Sequence, residues 1–414
     1  MANKEIIPYL FRIEYQKMIS VLSHLFGIQY IEIAEDIVSE TFLAATESWP
    51  INGVPEYPEA WLYTTAKNKA RNYFKHTTIF DKKIAPELSY FLSNLTEEME
   101  IDLSKKNIAD SQLAMIFTIC NPINPNEAQI ALALNLLCGF GVTEIADAFI
   151  TNKEVIYKRI HRAKEKLKKA NIKIESPSRL EITRRMDNAL KTIYLLFSEG
   201  YYSSTQNTIL RKEFCMEAMR LTNLLIQNEI TNLPQTNALL SLMCFHVSRF
   251  DARINAHGDI VLYQDQDVSL WNQELIARGG FFLKKAATGE QLSKYHLEAG
   301  IAFWHTQKED TIEKWEHILE LYNNLLILDY SSVVALNRCY AFSKVNGKLI
   351  AIKETEKLNL TKNHFYFSLL GNLYTDIDKT KAIENYSRAF QLAKTSNEQN
   401  IINKALHNLR KNKI

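Results

Sequence analysis

The sequence is short of the residues that interrupt or staple a chain. Only 12 glycines and 9 prolines occur in 414 residues, while Leu, Ala, Lys, Glu and Ile abound. That mix leaves few enforced breaks and favours helices over strands, so an all-α fold is expected. The 5 cysteines, Cys120, Cys138, Cys215, Cys244 and Cys339, are odd in number, widely spaced and contain no CxxC pair. This excludes a disulfide framework or a zinc ribbon and fits buried free thiols in a reducing compartment. Charge of one sign is also missing. With 49 Lys and Arg against 47 Asp and Glu, the net charge is +2, which excludes a generally polybasic protein and leaves any nucleic-acid contact to local patches. Long apolar runs are absent too. The opening MANKEIIPYLFRIE is broken by Pro8 and closed by Arg12 and Glu14, too short for a secretion signal, and Ala128 to Val142 falls short of a membrane span. A cytoplasmic protein with no membrane partner is expected.

A chain of this length exceeds what one hydrophobic core usually serves, so two or three domains are expected. From Ile6 to about His76, Leu10, Ile13, Met18, Leu22 and Leu25, then Ile33, Ile37, Phe42 and Ala45, recur at helical spacing. In WPINGVPEYPEAW, Pro50, Pro55 and Pro58 predict a loop until Glu59. The acidic stretch LTEEMEIDLSKKNIAD reads as a tether, and a second helical unit follows from about Gln112 to Lys169. Beyond Pro177 the chain is helical to its end. There Leu336, Asn337 and Tyr340 return as Leu370, Gly371 and Tyr374, a shift equal to the tetratricopeptide length, followed by Ala382, Tyr386 and Ala389.

The residues that are present concentrate their charge in one place. In GFGVTEIADAFITNKEVIYKRIHRAKEKLKKA, Gly141 is expected to end one helix and Thr143 to cap a short second one. Thr151 with Glu154 forms a capping-box pattern that starts a third, giving a helix-turn-helix. Ile156, Ile160, Ala163 and Leu167 share one stripe, which leaves Lys153, Tyr157, Lys158, His161, Arg162 and Lys164 facing outward or sideways. The run Lys153 to Lys169 carries a net +6. A dry stripe under a basic outer face suits the DNA major groove. A plain solvated amphipathic helix is the alternative. EAWLYTTAKNKARNYFKH mixes Lys67, Lys69, Arg71 and Lys75 with Trp61, Tyr63, Tyr73 and Phe74. Such a face suits opened DNA, where phosphates need charge and unstacked bases need a surface, although aromatics of this kind also serve as core.

Taken in order, these stretches resemble a sigma factor of the extracytoplasmic-function type, the sigma-70 relatives that keep regions 2 and 4. AEDIVSETFLAATESWP resembles region 2.2, EAWLYTTAKNKARNYF regions 2.3 to 2.4, and GVTEIADAFITNKEVIYKRIHRAKEKL region 4.2. RRMDNALKTIYLLFSEGYYSS, IVLYQDQDVSLW and SSVVALNRCYAF resemble a subgroup with a C-terminal tetratricopeptide-like extension. The resemblance implies region 2 over 1–80, an acidic linker over 81–111, region 4 over 112–173 and the extension over 174–414, with repeats near 331–395. It also implies core RNA polymerase and promoter DNA as partners and no cofactor, metal or catalytic residue. Glu35, Asp36 and Glu40 would dock on the polymerase. Trp61, Lys67, Asn68, Arg71, Asn72 and Lys75 would serve the −10 element, beside a loop from Trp49 to Trp61 that holds a flipped base. Lys153, Glu154, Tyr157, Lys158, His161, Arg162 and Lys164 would read the −35 element. Two departures stand out. Ile119, Cys120, Asn121 and Pro122 replace a Cys-Cys-His-Pro pattern common in the subgroup, and Asp267 stands where a basic residue is usual.

Three alternatives remain open on sequence. A helix-turn-helix regulator with a sensory repeat domain would not need core polymerase. An enzyme would have to use His246, Asp251, His257, Asp259, Asp265, Asp267, His296 and His305, whose spacing matches no ligand pattern. A pure scaffold would leave both basic helices unused.

Overall fold

The computed structural model describes residues 3–80, 102, 104–202, 208–255, 261–289 and 291–411, and the described residues are helical with no β-strand. The chain divides into two compact units, Met1–Glu199 and Gly200–Ile414. Residues 174–199, expected to open the extension, therefore group with the first unit.

In the first unit, α1 (Asn3–Phe26) packs on α2 (Ile31–Asn52), and α3 (Pro58–Phe80) lies against α2. Ile19, Ile31, Ala34, Val38 and Leu62 are fully buried. The proline-rich loop is shorter than expected. Pro50 is accommodated in the last turn of α2, Gly53 closes that helix at φ 81° with its N–H donating to Trp49 O at 3.0 Å, and Pro58 is the first residue of α3, where no N–H is needed. The expected tether lies mostly outside the described residues, but its end is helix. Ser104 caps α4 (Lys105–Ile119), accepting from Asn107 N at 3.2 Å, and α4 packs on α1.

Next come α5 (Asn126–Leu132), continued by a π-turn over Ala133–Leu137, then α6 (Val142–Ala148) and α7 (Lys153–Lys169). The expected helix limits here need three corrections. Gly139, at φ 73°, and not Gly141, turns the chain out of the π-turn. Gly141 is the N-cap of α6, its N–H held by Glu144 at 2.7 Å, so Thr143 lies inside the helix. Asn152 caps α7, accepting from Val155 N at 2.9 Å, in place of the Thr151–Glu154 pair. The helix α8 (Arg179–Tyr202) begins in this unit. The Arg185 guanidinium meets Phe117 O, Asn188 meets Cys120 O, and Thr192 donates to Gln129 Oε1 at 2.6 Å.

In the second unit, ten helices follow among the described residues: α9 (Thr208–Gln227), α10 (Pro234–Val247), α11 (Gln273–Ala286), α12 (Lys294–Trp304), α13 (Ile312–Leu328), α14 (Ser332–Asn346), α15 (Lys348–Lys357), α16 (His364–Tyr374), α17 (Lys379–Leu392) and α18 (Ser396–Lys411). From α9 onward most helices pack chiefly on their sequence neighbours, although α12 packs more on α10 than on α11, so the unit is largely a stack of helix pairs. Asn272, Thr311, Ser331, Asn363 and Asp378 cap their helices by side-chain acceptance. Gly279 lets α11 lie on α10, where a Cβ would stand 2.6 Å from the Phe245 ring. Gly371 does the same for α16 on α17, 2.7 Å from Tyr386. Leu336, Ala351, Leu370, Ala382 and Leu406 join one core running through the last five helices.

Candidate nucleic-acid interface

The apolar stripe on α7 is buried as its period requires: Ile156, Ile160, Ala163 and Leu167 are at most 6% exposed. The opposite face carries Lys153, Glu154, Tyr157, Lys158, His161 and Arg162, all exposed. The Tyr157 and His161 rings lie parallel, 6.2 Å apart, forming one flat step along that face. Two basic residues not singled out from sequence extend it. Arg159 stands over the Phe149 ring at 5.8 Å and, with Lys158, Arg162 and Lys166, lines a shallow groove between α7 and the start of α5 at Asn124 and Pro125.

Lys164 is the exception. Expected to face outward or sideways, it is only 6% exposed, and its ammonium donates to Glu35 Oε2 at 2.5 Å. One turn on, Lys168 donates to Glu32 at 2.6 Å, and Gln29 Nε2 donates to Lys168 O at 2.9 Å. Gln16, buried in α1, donates to Cys138 O at 2.7 Å. A row of polar contacts thus closes the C-terminal half of α7 onto the start of α2. Burial raises the Glu35 carboxyl above the ordinary glutamate range, opposed by the Lys164 charge and reinforced by Glu32 and Asp36. Glu32 and Lys168 gave no signal in the sequence, since a surface Lys and Glu 136 residues apart are unremarkable until folding joins them.

The carboxylates expected to meet polymerase divide accordingly. Asp36 is exposed, Glu40 is exposed and pairs with Lys69 on α3 at 3.0 Å, and Glu35 is engaged by α7. On α3, Asn68, Arg71 and Asn72 are exposed and share a face by their spacing, while Lys67 is half-buried. Trp61 is half-buried, its ring edge-to-face with buried Trp49 at 5.4 Å, so this pair braces both ends of the intervening loop. Tyr63 turns inward and donates to Glu14 at 2.7 Å, with burial and the Glu14 charge raising its phenol. The Lys75 side chain lies outside the described residues.

In the second unit the His and Asp residues weighed as an enzyme site do not converge: among the described residues no group of three or more His, Cys, Asp or Glu is arranged to hold a metal. His257 and Asp259 lie outside the described residues. Burial first, then Arg249 and Lys314, hold His305 neutral with a value pushed down to about 3. None of the described helices is long and apolar enough to cross a membrane.

Residues 10–78 match Sigma-70 region 2, a family of non-enzymatic transcription-initiation segments that bind core RNA polymerase and promoter DNA. Residues 185–287 match a family of unknown function, DUF6596. The chain is 31% identical over 387 residues to an uncharacterized protein of Rhizobium meliloti (strain 1021), an alignment that spans 92% of this chain and 90% of that one. No solved structure matches.

Proposed function

The chain belongs to the family of that Rhizobium protein and carries a sigma-70 region 2, and from this premise we propose that it is an RNA polymerase sigma factor of the extracytoplasmic-function type. It would act in the cytoplasm with α7 as its −35 reader. The observation that carries the reading is the division of α7 into a dry stripe and an exposed basic, aromatic face in a chain with region 2 at its front. Lys153, Lys158 and Arg162 would meet phosphates, and Tyr157 and His161 base edges. Arg159 and Lys166 add to the phosphate track. Lys164 leaves the −35 set while its ammonium stays on Glu35.

For the −10 element, exposed Asn68, Arg71 and Asn72 support the assignment, with Trp61 shaping the loop that would receive a flipped base. Asp36 and Glu40 are accessible to polymerase as they stand. Glu35 joins them once polymerase exchanges for Lys164, so engagement is coupled to release of α7 from α2. The protein breaks no bond; chemistry belongs to the polymerase. The helix pairs over Ser332–Leu392 are a tetratricopeptide-like array whose surface regulates output in cis or holds a protein partner.

Run-off transcription with core polymerase tests the reading. The full chain should direct initiation from promoters that it enriches, and a helix-turn-helix regulator would bind DNA equally well without core. For regulation in cis, the chain must be cut at Gly200. A cut at Ser176 would strip Asn188 and Thr192 from Gln129 and expose the α4–α5 core, so it tests folding instead. The chain ended before Gly200 should keep its promoter preference and change its output severalfold at equal core occupancy. Unchanged output would make the extension passive.

A further inference from the structure

In the second unit, the segment Val261–Trp271 folds against α12 and α13 around two aromatic rings and a surplus of cations. Tyr263 and Trp271 stack 6.3 Å apart at 29°. The Arg249 guanidinium carbon stands 5.5 Å from the first ring centre and 5.9 Å from the second, and Lys308 Nζ stands 5.9 Å from both. Lys314 Nζ lies 5.1 Å from Tyr263. Of the acidic side chains beside these cations, Asp310 is taken up by Lys344 at 3.0 Å and by the Trp315 indole, and Asp267, near enough to Lys308 to feel its charge, accepts from Ser269 N at 2.9 Å.

Most of these cations have acceptors. Lys314 donates to Tyr263 Oη at 2.9 Å, Gln307 O at 2.5 Å and Glu309 O at 3.3 Å, and Lys308 donates to Gln266 O at 3.0 Å. These bonds account for Lys314 as structure, while Lys308, exposed and bonded to backbone carbonyls, still has an N–H to offer. Arg249 differs. It is 7% exposed, its Nε has no hydrogen-bond partner, and no carboxylate among the described residues pairs with it. Ring faces attract a guanidinium but do not accept from its Nε–H, and leaving that buried donor unanswered is costly. Trp271 Nε1 and Gln266 Oε1, in residues 4% and 7% exposed, are likewise without partners. Burial lowers the Lys314 ammonium, against an opposing pull from Asp310 and with the charges of Arg249, Lys344 and Lys308 adding to it.

We propose that Arg249, Lys308 and Trp271 form a binding site for a small-molecule oxyanion, a phosphate or a carboxylate, with Gln266 accepting from a hydroxyl beside it. Arg249 supplies a planar fork from the buried side and Lys308 a charge from the exposed side. The site makes the extension a ligand sensor. It stands apart from the transcription reading, since binding needs neither polymerase nor DNA and the two can fail separately.

The test is isothermal titration of the full chain with inorganic phosphate and, separately, with citrate, at fixed ionic strength. One saturable site is expected for at least one probe, and the probe that binds more tightly tells phosphate from carboxylate recognition. Arg249→Lys keeps the charge but loses the fork and should weaken binding about tenfold. Lys308→Gln, at an exposed position, should do the same with the fold intact, checked by circular dichroism. Lys348→Gln, which removes a surface cation paired with Asp376, should bind as the parent chain does. If Arg249→Lys fails to fold, Lys308→Gln decides. No saturable heat with either probe, or equal affinity in the parent and Lys308→Gln chains, overturns the proposal.

Discussion

Replacing Lys164 with Met would leave the Glu35 carboxylate facing the C-terminal half of α7 with its counter-ion gone. The two side chains are 8% and 19% exposed and their charged atoms 2.5 Å apart, so both are largely out of water. Breaking a buried pair from one side costs about 3–5 kcal/mol. The remaining exposure of Glu35 lowers this to about 2–3 kcal/mol, a drop of about 4–12 °C in the melting of a unit this size. Replacing both partners, Glu35→Gln with Lys164→Met, removes attraction and desolvation together and should return the chain to within about 1 kcal/mol of the parent. The loss must also depend on pH. Without Lys164, burial raises the folded Glu35 value further above the ordinary 4.5. Below the ordinary 4.5 both folded and unfolded chains are protonated and the penalty vanishes; it grows as pH rises from there through the raised folded value. Differential scanning calorimetry of the full chain at pH 5 and pH 8 reads this directly. Equal losses at the two pH values, or a loss under about 0.5 kcal/mol, would refute the claim that this pair closes α7 onto α2.

Lys158→Ala should weaken DNA binding across sequences and flatten the salt dependence by about one unit, whereas Tyr157→Ala should relax one position of the preference; binding measured on promoter variants at several salt concentrations separates them. Arg71→Ala and Asn72→Ala should spare core binding and block strand opening, as read by permanganate reactivity at the −10 element. Gly371→Ala, forcing a methyl within 2.7 Å of Tyr386, should destabilise the second unit by about 1–3 kcal/mol in denaturant titrations. His305, depressed to about 3 from 6.5, contributes stability present above pH 6.5 and lost as pH falls toward 3. His305→Gln should flatten that decline, by at most about 1.4 kcal/mol per pH unit.

What could be read from sequence was local. The stripe of Ile156, Ile160, Ala163 and Leu167 follows from helical period alone. The failures have physical causes too. Asn152 outcompeted Thr151 as a cap because the chain turns at Ile150, at φ 50°, and that fixes which side chain reaches the first free N–H. Pro50 stayed helical because in a last turn its missing N–H removes a single bond. Lys164 was misplaced because position on a helical wheel says which way a residue points, and only a partner 129 residues away says whether solvent is there. The unpartnered Arg249 likewise emerges only when residues distant in the chain are folded around two rings.

The helix α8 has a meaning for descent as well as for stability. The DUF6596 match begins at residue 185, within α8, yet Arg185, Asn188 and Thr192 complete the first unit by closing over Phe117, Cys120 and Gln129. The inherited segment and the folding unit therefore have different borders. A recombination that imported a foreign extension at the inherited border would bring side chains unmatched to the host's α4 and α5. A chimaera joined at residue 185 would therefore put the Asn188 and Thr192 bonds to Gln129 at risk, whereas one joined at Gly200 would keep them.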